Sequence, residues 1–310
     1  MFGITAIKVI TMMAYGVPGY LLIKTGAVKE NAISAFAKFL LYVCSPAILL
    51  YSFNLADCTK ELLINMGIFL LMTFLGQLIV IGLYALIFKK KLKDSAHRIA
   101  AVAGACGNVG FLGLPLLQHL LPEFPEAAAY SAAFSVGMNF LAWTVGLMMI
   151  TGNRKYISFK AAVLNPSTLA FLVAFPLFLF KIKLPALIEE PIAVLGKAST
   201  PVCMTVLGMR LATKKFRTVF QNRKIYSAAV AKLFVFPVLV TLLMYFIPMP
   251  QEVKSTAFIL CCCPAAALVQ SLAEAYGGDS VSAADIVLST NLLCILTIPL
   301  MWTAYTALFL

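Results

Sequence analysis

The sequence predicts an all-α membrane protein of about ten transmembrane helices, arranged as a 5+5 inverted repeat in which helices 4 and 9 are broken. Three observations support this fold class. The chain is 62% hydrophobic and 12% charged, whereas a soluble domain carries about 25% charged residues. Apolar runs exceed the ~20 residues that a helix needs to cross a bilayer. Proline-centred features recur at a nearly constant spacing along the chain.

The individual spans follow from cutting the chain at charged, proline-rich and glycine-rich breaks. The expected spans lie near residues 4–23, 33–55, 62–88, 98–121, 128–150, 165–181, 190–211, 225–247, 256–276 and 284–309. The first is interpreted as a span and not as a cleavable signal peptide, because it lacks a basic leader of several residues and the hydrophobicity continues beyond it.

The basic residues predict the topology. If the spans alternate across the membrane, sixteen of the 24 Lys and Arg residues fall on one side and five on the other. The sixteen are Lys24, Lys29, Lys89, Lys90, Lys91, Lys93, Arg98, Arg154, Lys155, Lys160, Arg210, Lys214, Lys215, Arg217, Arg223 and Lys224. The positive-inside rule makes that side cytoplasmic, which places both termini outside. We therefore expect a multi-pass protein of the plasma (cell inner) membrane.

The net charge of +12 does not predict a nucleic-acid partner, because the basic residues lie in short loops and not in a soluble groove with interleaved aromatics. Seven of the eight cysteines fall inside apolar segments, Cys58 excepted, and no Cys/His spacing resembles a metal site. We predict no metal, no cofactor and no disulfide framework.

The internal repeat is visible as matched pairs. These are Pro18 with Pro176, Ser45-Pro46 with Thr200-Pro201, Pro115 with Pro264, and Asn139 with Asn291, at separations of 149 to 158 residues. Because each half has five spans, an odd number, the second half enters the membrane from the opposite side and the repeat is inverted. The expected units are residues 1–153, a cytoplasmic linker 154–164, and residues 165–310. Because prolines are common in membrane helices, the alternative is that some pairs match by chance.

The fourth and ninth spans carry the candidate site. The fourth span carries three glycines, Asn108 and Pro115 within residues 107–115, and the ninth has Pro264 among small residues at matching depth. Matched interruptions of this kind are the best sequence pointer to a substrate site in inverted-repeat transporters. If the helices break before their prolines, two positive N-termini face the midplane and favour an anion such as a carboxylate. The alternative is two proline kinks that only allow tight packing.

The predicted substrate-binding residues share a polar or helix-breaking side chain near that depth. They are Asn108, Gly110, Gly113, Pro115, Asn139, Pro264, Gln270, Ser289, Thr290 and Asn291. Each polar member could instead hold helices together.

Charged residues inside the spans are functional candidates by default. We expect Lys38 and Lys232 to snorkel toward the cytoplasm and Glu274 to contact water, whereas Lys197 could attract an anion. No Asp or Glu lies near the middle of a span, and the usual ligand for sodium or protons is therefore missing.

The segments 107–115, 232–237 and 264–277, together with 16–26, Asn165-Pro166, Ser289-Thr290 and Pro299, resemble the auxin efflux carrier family over nearly the whole chain. The resemblance implies a fold similar to bile-acid/sodium symporters, with crossed helices 4 and 9, a scaffold of helices 1, 2, 6 and 7, and a transport domain of helices 3–5 and 8–10. The resemblance also implies that Asn108, Pro115 and Pro264 occupy the positions where helices 4 and 9 cross. The chain lacks the long cytosolic loop of plant members, and it has Gln77 where an acid would coordinate a cation.

These observations predict a secondary transporter or facilitator for a small organic anion, either auxin-like or a dicarboxylate, that works by elevator-type alternating access. The alternatives are a membrane sensor that binds a carboxylate without moving it, a sodium-coupled symporter, and an intramembrane enzyme. The enzyme is disfavoured because the interior offers no nucleophile with a base and no paired acids. The expected partners are the anion and the lipid bilayer, and the scaffold helices could form a homodimer.

Overall fold

The computed structural model describes residues 2–156, 163–214, 219–220 and 224–310. All regular elements in these ranges are helices, apart from an isolated antiparallel bridge between Gly107 and Ala265. The predicted linker 154–164 and the basic stretch 214–217 lie only partly within the described residues, and Lys160 and Arg223 lie outside them.

Twelve helices follow one another in these ranges. They are α1 (Phe2–Lys24), α2 (Ala32–Asn54), α3 (Lys60–Ile87), α4 (Ser95–Ala105), α5 (Val109–Leu120), α6 (Ala127–Thr151), α7 (Pro166–Leu179), α8 (Ala186–Ala212), α9 (Ile225–Tyr245), α10 (Gln251–Cys262), α11 (Ala267–Tyr276) and α12 (Ser280–Phe309). Seven of these, α1, α2, α3, α6, α8, α9 and α12, are long and apolar enough to cross a membrane.

The all-helical membrane fold is confirmed, while the number of ten spans and the inversion of the second half stay predictions. The fourth predicted span consists of α4 and α5 and the ninth of α10 and α11, so both are interrupted as expected. The sixth span is a shorter helix, α7. Large apolar side chains such as Leu86, Leu187 and Phe246 are 71–87% exposed, which is typical of surfaces that face lipid.

Polar residues set the beginnings of four helices. The side chains of Thr59, Asp94, Asn165 and Asp279 accept backbone N–H groups in the first turns of α3, α4, α7 and α12, at 3.0–3.1 Å. These bonds satisfy donors that have no acceptor within a helix. Each begins a helix beside the boundary that the sequence predicts.

Helix α8 packs against α1 and α2, and α2 packs against α7. At one place α1 and α8 touch through their backbones. A Cβ atom on Gly19 would collide with the Thr205 carbonyl, and one on Gly208 would collide with the Gly16 carbonyl. We call Gly16, Gly19 and Gly208 the glycine seam. Small residues let membrane helices approach this closely. The Thr205 hydroxyl adds a 3.1 Å hydrogen bond to the Tyr15 carbonyl.

Candidate functional site

The two interrupted helices meet at a short non-helical crossing, formed by residues 106–108 and 263–266. The Asn108 N–H donates to the Pro264 carbonyl at 2.8 Å, and the Ala266 N–H donates to the Cys106 carbonyl at 3.0 Å. These bonds form the antiparallel bridge. Unpaired backbone groups cost several kcal/mol in a membrane, so each interruption supplies partners for the other.

The fourth span breaks earlier than its proline predicts. We expected Pro115 and Pro264 to occupy the first turns of the second half-helices. Instead α5 begins at Val109, and Pro115 lies within it, whereas Pro264 lies in the interruption before α11. The Asn108 carbonyl accepts the N–H groups of both Leu112 and Gly113, at 3.2 and 3.1 Å, which starts α5 with a wide π-helical turn. The N-termini at the crossing are thus those of Val109 and Ala267.

Lys232 lies behind the crossing and is fully buried, so the prediction that it snorkels is wrong. Its Nζ donates to the Cys261 carbonyl at 2.7 Å and lies 4.5 Å from the centroid of the Phe236 ring. Cys261 is in the last turn of α10, where carbonyls lack helical donors and the helix dipole favours a cation. A Cβ on Gly107 would lie 3.0 Å from this Nζ, and glycine there leaves room for the ammonium group.

Helix α12 holds the second interruption in place. The Thr290 hydroxyl accepts the Ala265 N–H at 3.2 Å, and the Asn291 amide nitrogen lies 3.4 Å from the Ala265 carbonyl. The Ser289 hydroxyl bonds only within its own helix, to the Ile286 carbonyl. All three side chains are buried, and none lines the cavity described next.

A central cavity lies where α2, α6, α8 and α11 meet the first turn of α5. Its polar lining consists of six hydroxyls, two carboxamides and one guanidinium. These belong to Ser45, Ser52, Asn108, Ser131, Ser135, Asn139, Ser167, Arg210 and Ser271. Gly110 and Phe111 at one helix N-terminus, and Ala267 and Leu268 at the other, also line it, together with apolar residues such as Met138. Among the described residues, no carboxylate lines it.

Asn108 lines this cavity and is 4% exposed. Its amide nitrogen contacts the Cys203 sulfur at 3.7 Å, and sulfur is a weak acceptor. A ligand oxygen would therefore give the amide a stronger partner. Asn139 also lines the cavity, but its amide nitrogen donates to the Ser135 carbonyl in its own helix at 2.8 Å.

Arg210 is the charged group of the cavity wall. It belongs to α8, is 8% exposed, and forms a forked ion pair with Glu274 of α11 through Nη1 at 2.7 Å and Nη2 at 3.3 Å. The Gln270 amide donates to the same carboxylate at 2.8 Å. Fork-to-carboxylate pairing is strong and directional. Glu274 is exposed, as predicted for a helix end in water.

A second cavity lies further along α5 and α8. It is lined by residues of α1, α5 and α8 that include Lys8, Pro115, His119, Lys197 and Thr200. Ile48 lines both cavities and packs with Leu114, Ala128 and Phe111 in a small apolar cluster.

A hydrogen bond joins the walls of the two cavities, and we call this bond together with Ile48 the barrier. Pro115 has no N–H, so the carbonyl four residues earlier, that of Phe111, loses its helical donor. The Thr200 hydroxyl donates to this carbonyl at 2.6 Å. The bond joins α8 to α5, and its acceptor residue lines the central cavity while its donor residue lines the second.

The predicted site residues therefore fall into three places. Asn108, Gly110 and Asn139 line the central cavity. Pro115 lines the second cavity, and Gly113 packs against Leu260 and Cys263 of the crossing. Pro264, Gln270, Ser289, Thr290 and Asn291 line neither cavity.

The sequence does not single out Arg210 or the cavity serines as site residues. Arg210 lies near the end of its span, where a basic residue indicates topology. The serines have no spacing that separates them from ordinary helix-packing residues. A signal that could have found Arg210 is its position on the same face of α8 as Cys203 and Val206, at i, i+3 and i+7.

Comparison with known families agrees with this architecture. Residues 2–162 and 156–302 both match a family model described as "Membrane transport protein". A comparison with curated proteins gives no match.

Proposed function

The chain belongs to this membrane transport family, that of the auxin efflux carriers, and from this premise we propose that it is a secondary transporter or facilitator for a small organic anion. Membership makes it an integral multi-pass membrane protein of a transporter family and not of an enzyme family. The substrate class, the mechanism and the orientation are parts of the proposal.

The observation that carries the proposal is the charge balance of the central cavity. Two helix N-termini supply positive potential there, Asn108 adds an amide donor, and Arg210 contributes a cation whose charge is paired with Glu274. The first N–H groups of a helix have no intrahelical acceptor and bind anions readily. With no carboxylate among the described lining residues, an anion is the guest that such a wall favours.

The proposed mechanism is elevator-type alternating access. In it α1, α2, α7 and α8 form the scaffold, and the crossing moves with α3–α6 and α9–α12. Its support is the backbone contact at the glycine seam within the scaffold, and the two cavities separated by Ile48 and the Thr200–Phe111 bond. The repeats 1–153 and 165–310, and a homodimer through the scaffold, belong to the same proposal.

Flux measurements test the function. The purified protein in proteoliposomes should move at least one of radiolabelled malonate, malate or indole-3-acetate, with sodium and pH gradients clamped at zero and membrane potential varied. Transport that needs a sodium gradient would replace the facilitator with a symporter. Saturable binding of these anions without flux would favour a sensor.

Cysteine labelling tests the orientation. We propose that both termini are outside, in the plasma (cell inner) membrane, with Lys89–Lys91 in the cytoplasm, because of the asymmetry of basic residues. A cysteine at position 91 should react with an impermeant reagent only after the cells are opened. Labelling from outside intact cells would reverse the topology.

A further inference from the structure

Glu274 occupies a position that an anionic ligand could take. We propose that Arg210 receives the carboxylate of the transported anion, and that the Glu274 carboxylate is an internal substitute which the anion displaces. The proposal rests on the proposed function and adds to it the residue that binds the acidic group.

Arg210 is placed for this role by the geometry of α8. Cys203, Val206 and Arg210 lie on one face of that helix, about 10 Å apart from first to last. Cys203 contacts the Asn108 amide at 3.7 Å, and both Val206 and Arg210 line the central cavity. Arg210 and Asn108 thus line the same cavity, and Cys203, which contacts the Asn108 amide, lies about two helical turns from Arg210.

The ion pair is unequal in its exposure to water. The Arg210 side chain is 9% exposed, whereas the Glu274 side chain is 44% exposed. The Arg210 Nε is buried, and no acceptor within the described ranges lies at hydrogen-bond distance from it. The arginine therefore needs an anion and keeps one donor unused, while the glutamate can return to water.

Exchange of one carboxylate for another conserves the salt bridge. Removing a partner from a buried ion pair is costly because it leaves an uncompensated charge. An incoming carboxylate avoids that cost, since the Arg210 guanidinium is paired with a carboxylate throughout the exchange. A neutral solute cannot displace Glu274 in this way, so the exchange would select for anions.

A neighbouring ion pair provides the contrast. Lys214 lies four residues after Arg210, just beyond the end of α8, and pairs with Asp285 of α12, but neither residue lines the central cavity. This pair joins the end of the same helix to another element. It serves as the matched control for losing an ion pair without losing a ligand contact.

Acetate tests the site without knowledge of the substrate. In the full-length Glu274→Ala protein, the site beside Arg210 is empty and should accept a small carboxylate. Acetate at 100 mM should raise the melting temperature of this variant by about 2–3 °C more than chloride at equal ionic strength. Wild type should respond less, and the Arg210→Gln/Glu274→Ala double variant should not respond. An equal acetate response in the single and double variants would overturn the proposal.

Flux supplies the second arm, with the best transported of malonate, malate and indole-3-acetate. Glu274→Gln removes the competing charge but keeps a partner for Gln270. It should lower the half-saturating concentration at least about threefold, whereas Arg210→Gln should raise it at least about tenfold. Lys214→Gln should leave it unchanged. A purely structural ion pair would shift both Arg210 and Glu274 variants in the same direction, and that result contradicts the proposal.

The acetate and flux experiments together distinguish failure of the proposed function from failure of the Arg210 site. If wild type moves none of the three anions but acetate still stabilises Glu274→Ala selectively, the proposed function fails and the Arg210 site stands. If flux is present and the acetate effect is absent, only the Arg210 site fails.

Discussion

The two helix interruptions share a backbone arrangement and differ in chemistry. Gly107 and Asn108 of the first segment line the central cavity, and the side-chain partner of Asn108 is the weak acceptor Cys203. Ala266 of the second segment also lines this cavity, but Thr290 of α12 accepts the Ala265 N–H and holds that segment from the other side. We therefore expect the first segment to contribute a ligand-binding side chain and the second to contribute mainly to stability.

This difference teaches that matched positions in two repeats need not have matched roles. The proposed repeat predicts that both helices are interrupted. It does not determine which break meets the ligand, because that depends on which neighbours cover each segment. Substitutions in the first interruption should therefore lower transport, and substitutions at the second should lower stability.

The largest effect is expected at Asn108. Asn108→Ala removes an amide from the cavity but keeps the backbone bonds of the bridge, so flux should fall about 100-fold or more while the melting temperature changes little. Proteoliposome flux and thermal unfolding measure the two quantities. Asn139→Ala is the matched control, and because that amide bonds within its own helix, its flux should fall less than tenfold. A folded Asn108→Ala protein with wild-type flux would remove Asn108 from the site.

The second interruption should respond through stability. Thr290→Val keeps the size of the side chain but leaves the buried Ala265 N–H without its acceptor, which costs about 1–3 kcal/mol of unfolding free energy. Denaturation in detergent measures the loss. Ser289→Ala, one residue away, removes only a bond within α12 and should be nearly neutral. Equal losses for both variants would show that α12 does not support the interruption.

Two glycines of α5 sharpen the same comparison. A Cβ on Gly113 would lie 2.6 Å from Leu260 Cδ2 and 3.2 Å from Cys263 Sγ, whereas one on Gly110 meets nothing closer than Ser135 Oγ at 3.7 Å. Gly113→Ala should therefore destabilise the protein by about 1 kcal/mol as Leu260 moves aside. Gly110→Ala should keep stability and raise the half-saturating anion concentration. If Gly113→Ala weakened anion binding and Gly110→Ala lowered stability instead, the ligand would lie on the Gly113 side of α5, which contradicts the prediction.

The smallest effect is expected at the barrier. Thr200→Val removes the donor to the Phe111 carbonyl, which Pro115 has already deprived of its helical partner. The expected loss is about 1 kcal/mol, together with faster thiol labelling of a cysteine introduced at position 118 in the second cavity. Thr205→Val, on the same helix but outside the barrier, is the control. Unchanged labelling at position 118 would show that the bond does not close the barrier.

The sequence was most informative where hydrophobicity alone decides the structure. The second, third and eighth spans were predicted within two residues, because long apolar runs end at charged or proline-containing turns. The sequence predicts Asn108 as a site residue because an amide among glycines is unusual inside a membrane. The location of the break was missed, since the Asn108 carbonyl and its two N–H partners start α5 before Pro115 is reached.

The charged residues were harder to place, because their environment comes from distant parts of the chain. Lys232 looks like a snorkelling lysine, but its acceptor is a helix end 29 residues later. Arg210 looks like a positive-inside residue, but α11 brings Glu274 to it from 64 residues away. Only the packing of the helices reveals that these two cations are buried.

The glycine seam also has a consequence for how the protein is made. Tyr15 and Thr205, which bond across it, are 190 residues apart in the chain. When α1 leaves the ribosome, the helix that covers its glycines has not yet been synthesised, and lipid must cover that face until α8 is inserted. The N-terminal half produced alone would keep this face open, and supplying residues 154–310 as a separate chain should restore it. The order of synthesis thus makes the first helix one of the last to reach its final neighbours.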